Sequence, residues 1–560
     1  TDGLAAVFHG DCLDDSLNAL VLRGGLSWKQ VDLLRAYKGY ARQIQLGASA
    51  AFMAEVLLSH PKLAGALVRL FEARFEPGLE DRTRRMVEAE DEVLDGLRSI
   101  SSSQEDVVLR GLYSLIQGSI RTNYFRRDRK RWYISFKMDH DLIPVIPEPK
   151  LKYEIYVHHP EVEGLHFRGG KVARGGLRWS DRVDYRTEVL GLVTTQMVKN
   201  VLIVPQGAKG GFLMREYIED RAERREKADE IYEWFIRALL DLTDNVVDGK
   251  IVNPPDVVFH DEGQDPYLVV AADKGTAHLS DTANRVAVEE YNHWLGDAFA
   301  SGGSNGYDHK KVGITARGAW QCVNRHFAEM GLDPKTTEFT MIGIGDTGGD
   351  VFGNGVIEYP KSRLIAAFNH LHIFLDPNPD TVVAFAERKR LFREGKGWEA
   401  YNTDLISEGG GVFDRRAKSI PLSVEVRKML GILKEELSAD SVIRQIMRVE
   451  ADLFWSGGIG TYVKASWESH TDAGDPSNNP FRINADELRV KAVGEGANLS
   501  FTPAARIEFG LRGGRINTDF VDNSGGVDMS DHEVNIKILL GGLVTDGVLN
   551  VEERNVLIRE

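Results

Sequence analysis

Apolar positions along this chain change their period several times, and the changes mark out its organisation. Up to about residue 130 they recur at helical spacing, with Leu33, Leu34, Tyr37, Tyr40 and Ile44 on one face and Pro61 and Pro77 as breaks. Period-two alternation then appears over 132–138 and, after a proline-rich turn at 144–149, over 153–157, which predicts strands. Residues 188–199 read as an amphipathic helix with Val189, Val193 and Met197 on one face, and 201–204 as a short buried strand. Helices are predicted again over 219–244 and 280–300. The run Ser301-Gly302-Gly303-Ser304-Asn305-Gly306 reads as a hinge or linker. Beyond it, Ala316, Trp320, Val323, Phe327 and Met330 line a helix that leads into strand-then-glycine composition. The expected division is a helical region over 1–130, a domain over 131–305, a second over 306–540, and the start of another helical region over 541–560.

Composition narrows the class without naming a chemistry. A chain of 560 residues is too long for one core, and 42% hydrophobic with 27% charged residues is the balance of a folded, soluble chain. No apolar run approaches the ~18 residues of a spanning helix, so no membrane partner is expected. Cys12 and Cys322 give no disulfide framework and fit a reducing cytoplasm. The net charge of -15 argues against nucleic acid as the main partner. The basic run Arg126, Arg127, Arg129, Lys130, Arg131 is the local exception and reads as a solvated helix end. Thr1 is not an initiator methionine and 550–560 resemble the middle of a polar helix, so a piece of a longer chain is expected.

Candidate chemistry concentrates at Lys199 and Lys209, ten residues apart, one closing a helix and the other in Gly207-Ala208-Lys209-Gly210-Gly211, read as a loop. Two cations converging on one cavity favour a substrate carboxylate and lower each other's proton affinity, which suits acid-base work near neutrality. Two solvated surface lysines are the alternative, but they would not need four glycines and alanines whose ordering costs backbone entropy.

A second signal is the apolar strand 338–342 running into Gly343-Ile344-Gly345-Asp346-Thr347-Gly348. In a dinucleotide-binding unit the first glycine permits the tight turn, the second lets backbone approach the pyrophosphate, and the third lets helix pack on strand. Asp346 and Asp350 would repel phosphate unless their side chains turn away, so an ordinary glycine-rich turn stays open. An acid that accepts the ribose hydroxyls is expected ~20 residues after the loop. Asp376, 28 residues past Gly348, is the nearest strand-end candidate and would select NAD over NADP; a plain turn aspartate before Pro377 is the other reading.

In order along the chain, 173–178, Lys199, 207–211, 342–355, Val493-Gly494-Glu495-Gly496-Ala497-Asn498 and 523–530 resemble the motifs of glutamate dehydrogenases. Trp179-Ser180-Asp181-Arg182 and Asp531-His532-Glu533 resemble the large bacterial NAD-specific class. The resemblance implies an α/β fold: a two-domain amino-acid dehydrogenase core, with an α/β substrate domain, a Rossmann-like NAD domain and an N-terminal helical region. It implies NAD-dependent oxidative deamination of L-glutamate to 2-oxoglutarate and ammonia, by a cytoplasmic homo-oligomer with no metal. Carried over residue by residue, it makes Lys209 the catalytic lysine, Lys199 a contact to the α-carboxylate, and Ser530 a contact to the side-chain carboxylate. Arg174 stands where the small enzymes carry lysine, so a carboxylate contact would change from a point charge to a fork. Asp273 is chosen as the proton-shuttling aspartate, with Asp256 and Asp265 as rivals. Asn498 would line the nicotinamide side. Ser456 departs from the asparagine usual in this class. A dehydrogenase for another amino acid, and a nucleotide-binding fragment inactive without flanking regions, are the competing readings.

Overall fold

The structure, a computed structural model, describes residues 2–127, 131–180, 184–199, 205–272, 278–306, 309–458 and 460–559. The chain divides into two compact units, one built from 1–306 with 531–560 and the other from 307–530.

The first unit opens with helices and continues into a seven-stranded mixed sheet. Its strands are β1 (Ser119–Thr122), β2 (Ile134–Asp139), β3 (Tyr153–His158), β4 (Val162–Arg168), β5 (Ala173–Ser180), β6 (Gln206–Met214) and β7 (Leu268–Ala272), in the order β1-β2-β3-β4-β6-β5-β7. β5 runs parallel to β6 and β7, and the other pairings are antiparallel. Helix α1 (Trp28–Gln43) starts at a capping box in which Ser27 and Gln30 satisfy each other's backbone N–H. It is tied to the sheet by two buried polar pairs, His158 to Asp32 at 3.2 Å and the Tyr40 hydroxyl to Glu154 at 2.6 Å, and by half-buried Arg42 to buried Glu163 at 2.6 Å. Tyr37 stacks on Phe136 at 4.3 Å between ring centroids, so helices and sheet share one apolar core.

Helix α2 (Tyr185–Lys199) packs on the same face of the sheet as α1, Val189 lying against Gly211, and α3 (Arg221–Leu240) covers the opposite face, Phe235 lying against Gly164. The helix expected over 280–300 is shorter: an α-helix at Ser280–Arg285 widens through Val286–Glu290 and stops, because Asn292 and Gly296 take positive φ values of 44° and 56°. The strand expected over 201–204 lies outside the described residues.

Gly207 to Gly211 form no loop. They are the middle of β6, paired to β4 on one side and β5 on the other. The glycines answer to neighbours: a Cβ on Gly210 would meet Leu177 at 2.5 Å and His166 at 2.9 Å, and one on Gly211 would meet Val189 of α2 at 2.9 Å.

The second unit holds a six-stranded sheet of β8 (Phe339–Ile344), β9 (Ser362–Phe368), β10 (His372–Leu375), β11 (Gly411–Asp414), β12 (Ala451–Ser456) and β13 (Val490–Glu495), in the order β11-β10-β9-β8-β12-β13. β9, β8, β12 and β13 are parallel and apolar on both faces, as strands covered on both sides must be. β10 and β11 are antiparallel additions at one edge. Helix α4 (Ile314–Glu329) packs Trp320 on Trp455 at 5.1 Å, and α5 (Asp350–Val356) follows the glycine loop. Helix α7 below denotes Ser524–Thr545, and α6 Thr381–Glu394. Among the described residues no single helix is long and apolar enough to cross a membrane.

Candidate active site

In the first unit the register of β5 and β6 pairs Arg174 with Gly207, so Lys209, two residues on, lies on the same face of the sheet as Arg174. That face runs under the C-terminal end of α2: a Cβ on Gly207 would sit 3.1 Å from the Met197 nitrogen. Lys199 is the last residue of α2, which brings its backbone to the same corner; its side chain lies outside the described residues. Lys209 is half-buried.

Arg174 is 2% exposed, and its charge is already matched. One Nη donates to Asp531, and the other to the Ser301 hydroxyl at 2.8 Å. Arg174, expected to contact a substrate carboxylate, is here paired with the internal carboxylate of Asp531. Ser530, the last residue of the second unit, donates its hydroxyl to the Val527 carbonyl at 3.1 Å within α7.

Asp273 lies outside the described residues. Its two rivals lie in unlike surroundings. Asp256 is exposed on a turn with φ 56°. Asp265 is 2% exposed and holds Lys137 at 2.6 Å and Arg168 at 2.9 Å. Although burial pushes its carboxyl upward, Arg168 and Lys137 together hold it well below the usual carboxylate range.

The second unit carries the dinucleotide features. Strand connections leave β8 toward β9 on one side and β12 on the other, so the carboxyl end of β8 is the switch point where such sheets bind ligands. The glycine loop sits there, with Ser456 and Gly457 at the end of β12 and Asn498 just after β13. Gly345 has φ 146°, open only to glycine, and its Cβ would meet Phe352 at 2.5 Å. The strand, loop and helix at the switch point fit a bound dinucleotide, while the glycines themselves answer to packing: a Cβ on Gly343 would meet Phe352 at 2.7 Å and one on Gly348 the Gly395 backbone at 2.9 Å. Thr347 contributes backbone only, since its hydroxyl donates to the Lys396 carbonyl at 2.9 Å. The Asn498 side-chain oxygen accepts from Asn523 at 2.9 Å. The Ser456 hydroxyl is hydrogen-bonded to that of Ser500, which takes up the polar group left by the departure noted above.

Asp376 is not at this edge. It closes β10, which runs antiparallel to β9, and its N–H donates to the Ile365 carbonyl at the middle of β9, short of that strand's carboxyl end. It is fully buried and bonded to the Ser407 hydroxyl and N–H, and burial pushes its carboxyl upward. Reading β10 as the second parallel strand caused the error. The true second strand is β9, and the residue at its carboxyl end is Asn369, 21 residues past Gly348. The spacing was right there, but an amide stood where an acid was sought.

The sequence placed Glu495 to Asn498 along the nicotinamide side but gave no sign that Glu495 clusters with Asp519 and Asp522. Glu495 is fully buried, bonded to Arg506, and accepts from the Ser500 N–H at 3.1 Å, while Asp522 accepts from the Glu495 N–H at 2.8 Å. Asp519 accepts from the N–H of Leu499, which takes φ 67°. Burial pushes Glu495 up to about 7 against the pull of Arg506, with Asp519 and Asp522 adding to the rise. Between its unfolded value near 4.5 and 7, the native state holds this proton more tightly than the unfolded chain, so Glu495 costs stability progressively as pH rises through that window. His166, His159 and His293, held neutral by burial at about 3, 4 and 4, act in the opposite sense. The effect is therefore read as a difference. Thermal melts of wild type and Glu495→Gln are expected to diverge from pH 5 to pH 7.5, the variant gaining on wild type by up to roughly 3 kcal/mol. Parallel curves would contradict it.

Comparison with known proteins agrees with this layout. Residues 92–560 match the family model described as bacterial NAD-glutamate dehydrogenase, catalytic domain, and 12–77 match glutamate dehydrogenase, helical motif 3. The chain is 51% identical to the NAD-specific glutamate dehydrogenase of Halomonas elongata over 99% of its length, 51% identical to that of Pseudomonas aeruginosa over 100%, and 50% identical to that of Mycobacterium tuberculosis over 100%. It spans 35%, 35% and 36% of those relatives. A model match over most of the chain, with about half of all residues identical across it, means that the chain belongs to the bacterial NAD-glutamate dehydrogenase family.

Proposed function

We propose that this chain catalyses NAD-dependent oxidative deamination of L-glutamate to 2-oxoglutarate and ammonia, reversibly. The observation that carries this is Lys209 beside Arg174 on one sheet face, with the end of α2 and Lys199 at the same corner, in a member of this family. Bound NAD supplies the hydride acceptor for the substrate α-carbon. Gly343, Gly345 and Gly348 let backbone approach its pyrophosphate, and Asn498 meets its nicotinamide side.

The chain's own residues position substrate and move protons. Lys199 holds the α-carboxylate. Lys209 assists addition of water to the imino carbon, and Asp273 carries protons to and from the departing amine. Ser530 donates to the side-chain carboxylate once it leaves its helix carbonyl. Arg174, neutralised by Asp531, contributes to that carboxylate only by exchanging one carboxylate partner for another. Cys12 and Cys322 are both free thiols, which supports a reducing cytoplasm, and a homo-oligomer is the assembly we expect.

The test is reduction of cofactor by purified chain across L-glutamate or L-leucine with NAD or NADP. Turnover with glutamate and NAD alone is the expected result. Comparable kcat/KM for glutamate and leucine would contradict the substrate, since a pocket that buries polar groups for a second carboxylate rejects a chain lacking it.

A further inference from the structure

The carboxyl end of β9 lacks the acid that normally receives the adenosine ribose of NAD, yet a carboxylate is present at that spot. It comes from the glycine loop. Asp346 is half-buried, and its Oδ2 accepts from the Asn369 side-chain amide at 3.2 Å. Asn369 is 7% exposed and cannot turn its amide round. Its Oδ1 accepts the N–H groups of Leu371 at 2.8 Å and His372 at 2.7 Å in the tight turn to β10, which leaves Nδ2 as the only group able to face the loop.

Space is kept for this arrangement on the other side. A Cβ on Gly397 would meet a carboxylate oxygen of exposed Glu399 at 2.6 Å and the two Asp346 carboxylate oxygens at 2.8 and 2.9 Å. The remaining contact of Asp346 is a long one, 3.4 Å from the Gly348 N–H. Of the cations near the loop, Arg415 donates to the Asn369 carbonyl at 3.0 Å and lies 4.4 Å above the Phe481 ring, and Lys310 lies 5.3 Å above the Phe392 ring. Lys396 pairs with Glu394 at 3.1 Å.

From this geometry we infer that Asp346 is the ribose acceptor of this dinucleotide site and the residue that excludes NADP, and that Asn369 is the positioning residue that aims it. The inference rests on the NAD reading above and deepens it. A carboxylate carried by the loop itself, adjacent to the pyrophosphate-binding glycines, accepts the vicinal hydroxyls of the ribose. Asn369 fixes the direction of one carboxylate oxygen, Oδ2, toward the end of β9. Against a 2′-phosphate the same carboxylate is repulsive, and a like charge built into a site is an effective way to discriminate.

The test is equilibrium binding of NAD and NADP, by calorimetry, to wild type, Asp346→Asn, Asp346→Ser and Asn369→Ala, each checked for a native melt. Wild type is expected to bind NAD at least about 100-fold more tightly than NADP. In both Asp346 variants NAD is expected to weaken about tenfold while NADP holds or tightens, so the ratio falls about tenfold or more. Asn369→Ala is expected to move the ratio the same way by a smaller factor, a change that loss of packing alone would not produce. An unchanged ratio in both Asp346 variants that still bind NAD overturns this inference and leaves the proposed function standing. Failure of folded wild type to bind NAD overturns both.

Discussion

Replacing Lys209 with alanine is expected to lower kcat by about 10² to 10⁴, the range of a positioned acid-base group, with NAD affinity nearly unchanged. The separation follows from structure. Lys209 stands in the middle of β6, in the first unit, whereas the glycine loop belongs to the second. Strand pairing does not depend on its side chain, because β6 is held by backbone bonds to β4 and β5 and by apolar neighbours such as Phe212. A normal melt and a normal NAD isotherm with the turnover gone is the signature to look for. Near-normal turnover would remove Lys209 from the mechanism.

The second large effect concerns folding. Asp265→Ala would leave Lys137 and Arg168, 1% and 0% exposed, without their shared carboxylate, and Asp261 reaches Lys137 only at 3.6 Å. Breaking a buried pair by removing one partner costs about 3–5 kcal/mol, here with two cations stranded, so a fall in Tm on the order of 10 °C is expected. The same change at exposed Asp256 should stay within about 0.5 kcal/mol. The contrast also bears on chemistry. If Asp265 is purely structural, the folded fraction of the variant keeps its kcat. A folded, stable Asp265→Ala protein with kcat lost a hundredfold would reinstate it as the proton shuttle.

How much of this was legible in the sequence depends on how local each feature is. The N-terminal helices and the nucleotide-type strand and loop were readable because their signals are periodic and short-range, the apolar face from Leu33 to Ile44 and the strand running into Gly343, whereas the two-domain α/β class came from the resemblance of several motifs in order. The glycine run around Lys209 was misread as a loop because its cause is tertiary. Leu177, His166 and Val189, distant in sequence, occupy the volume that side chains at Gly210 and Gly211 would need. Asp376 was misplaced because an apolar run carries no mark of strand direction, and β10 turns back after only three intervening residues. Asn369 was passed over because residue type was trusted above spacing. The pairing of Arg174 with Asp531 joins residues far apart in the chain, and nothing near Arg174 announces it.

The measurement that tests the central claim most directly is the fate of the substrate's α-hydrogen. L-Glutamate deuterated at the α-carbon, incubated with the purified chain and NAD, is predicted to deliver its deuterium to the reduced cofactor, with 2-oxoglutarate formed in equal amount. Reduced cofactor without deuterium, or no reduction by protein that binds both NAD and glutamate, would contradict the account.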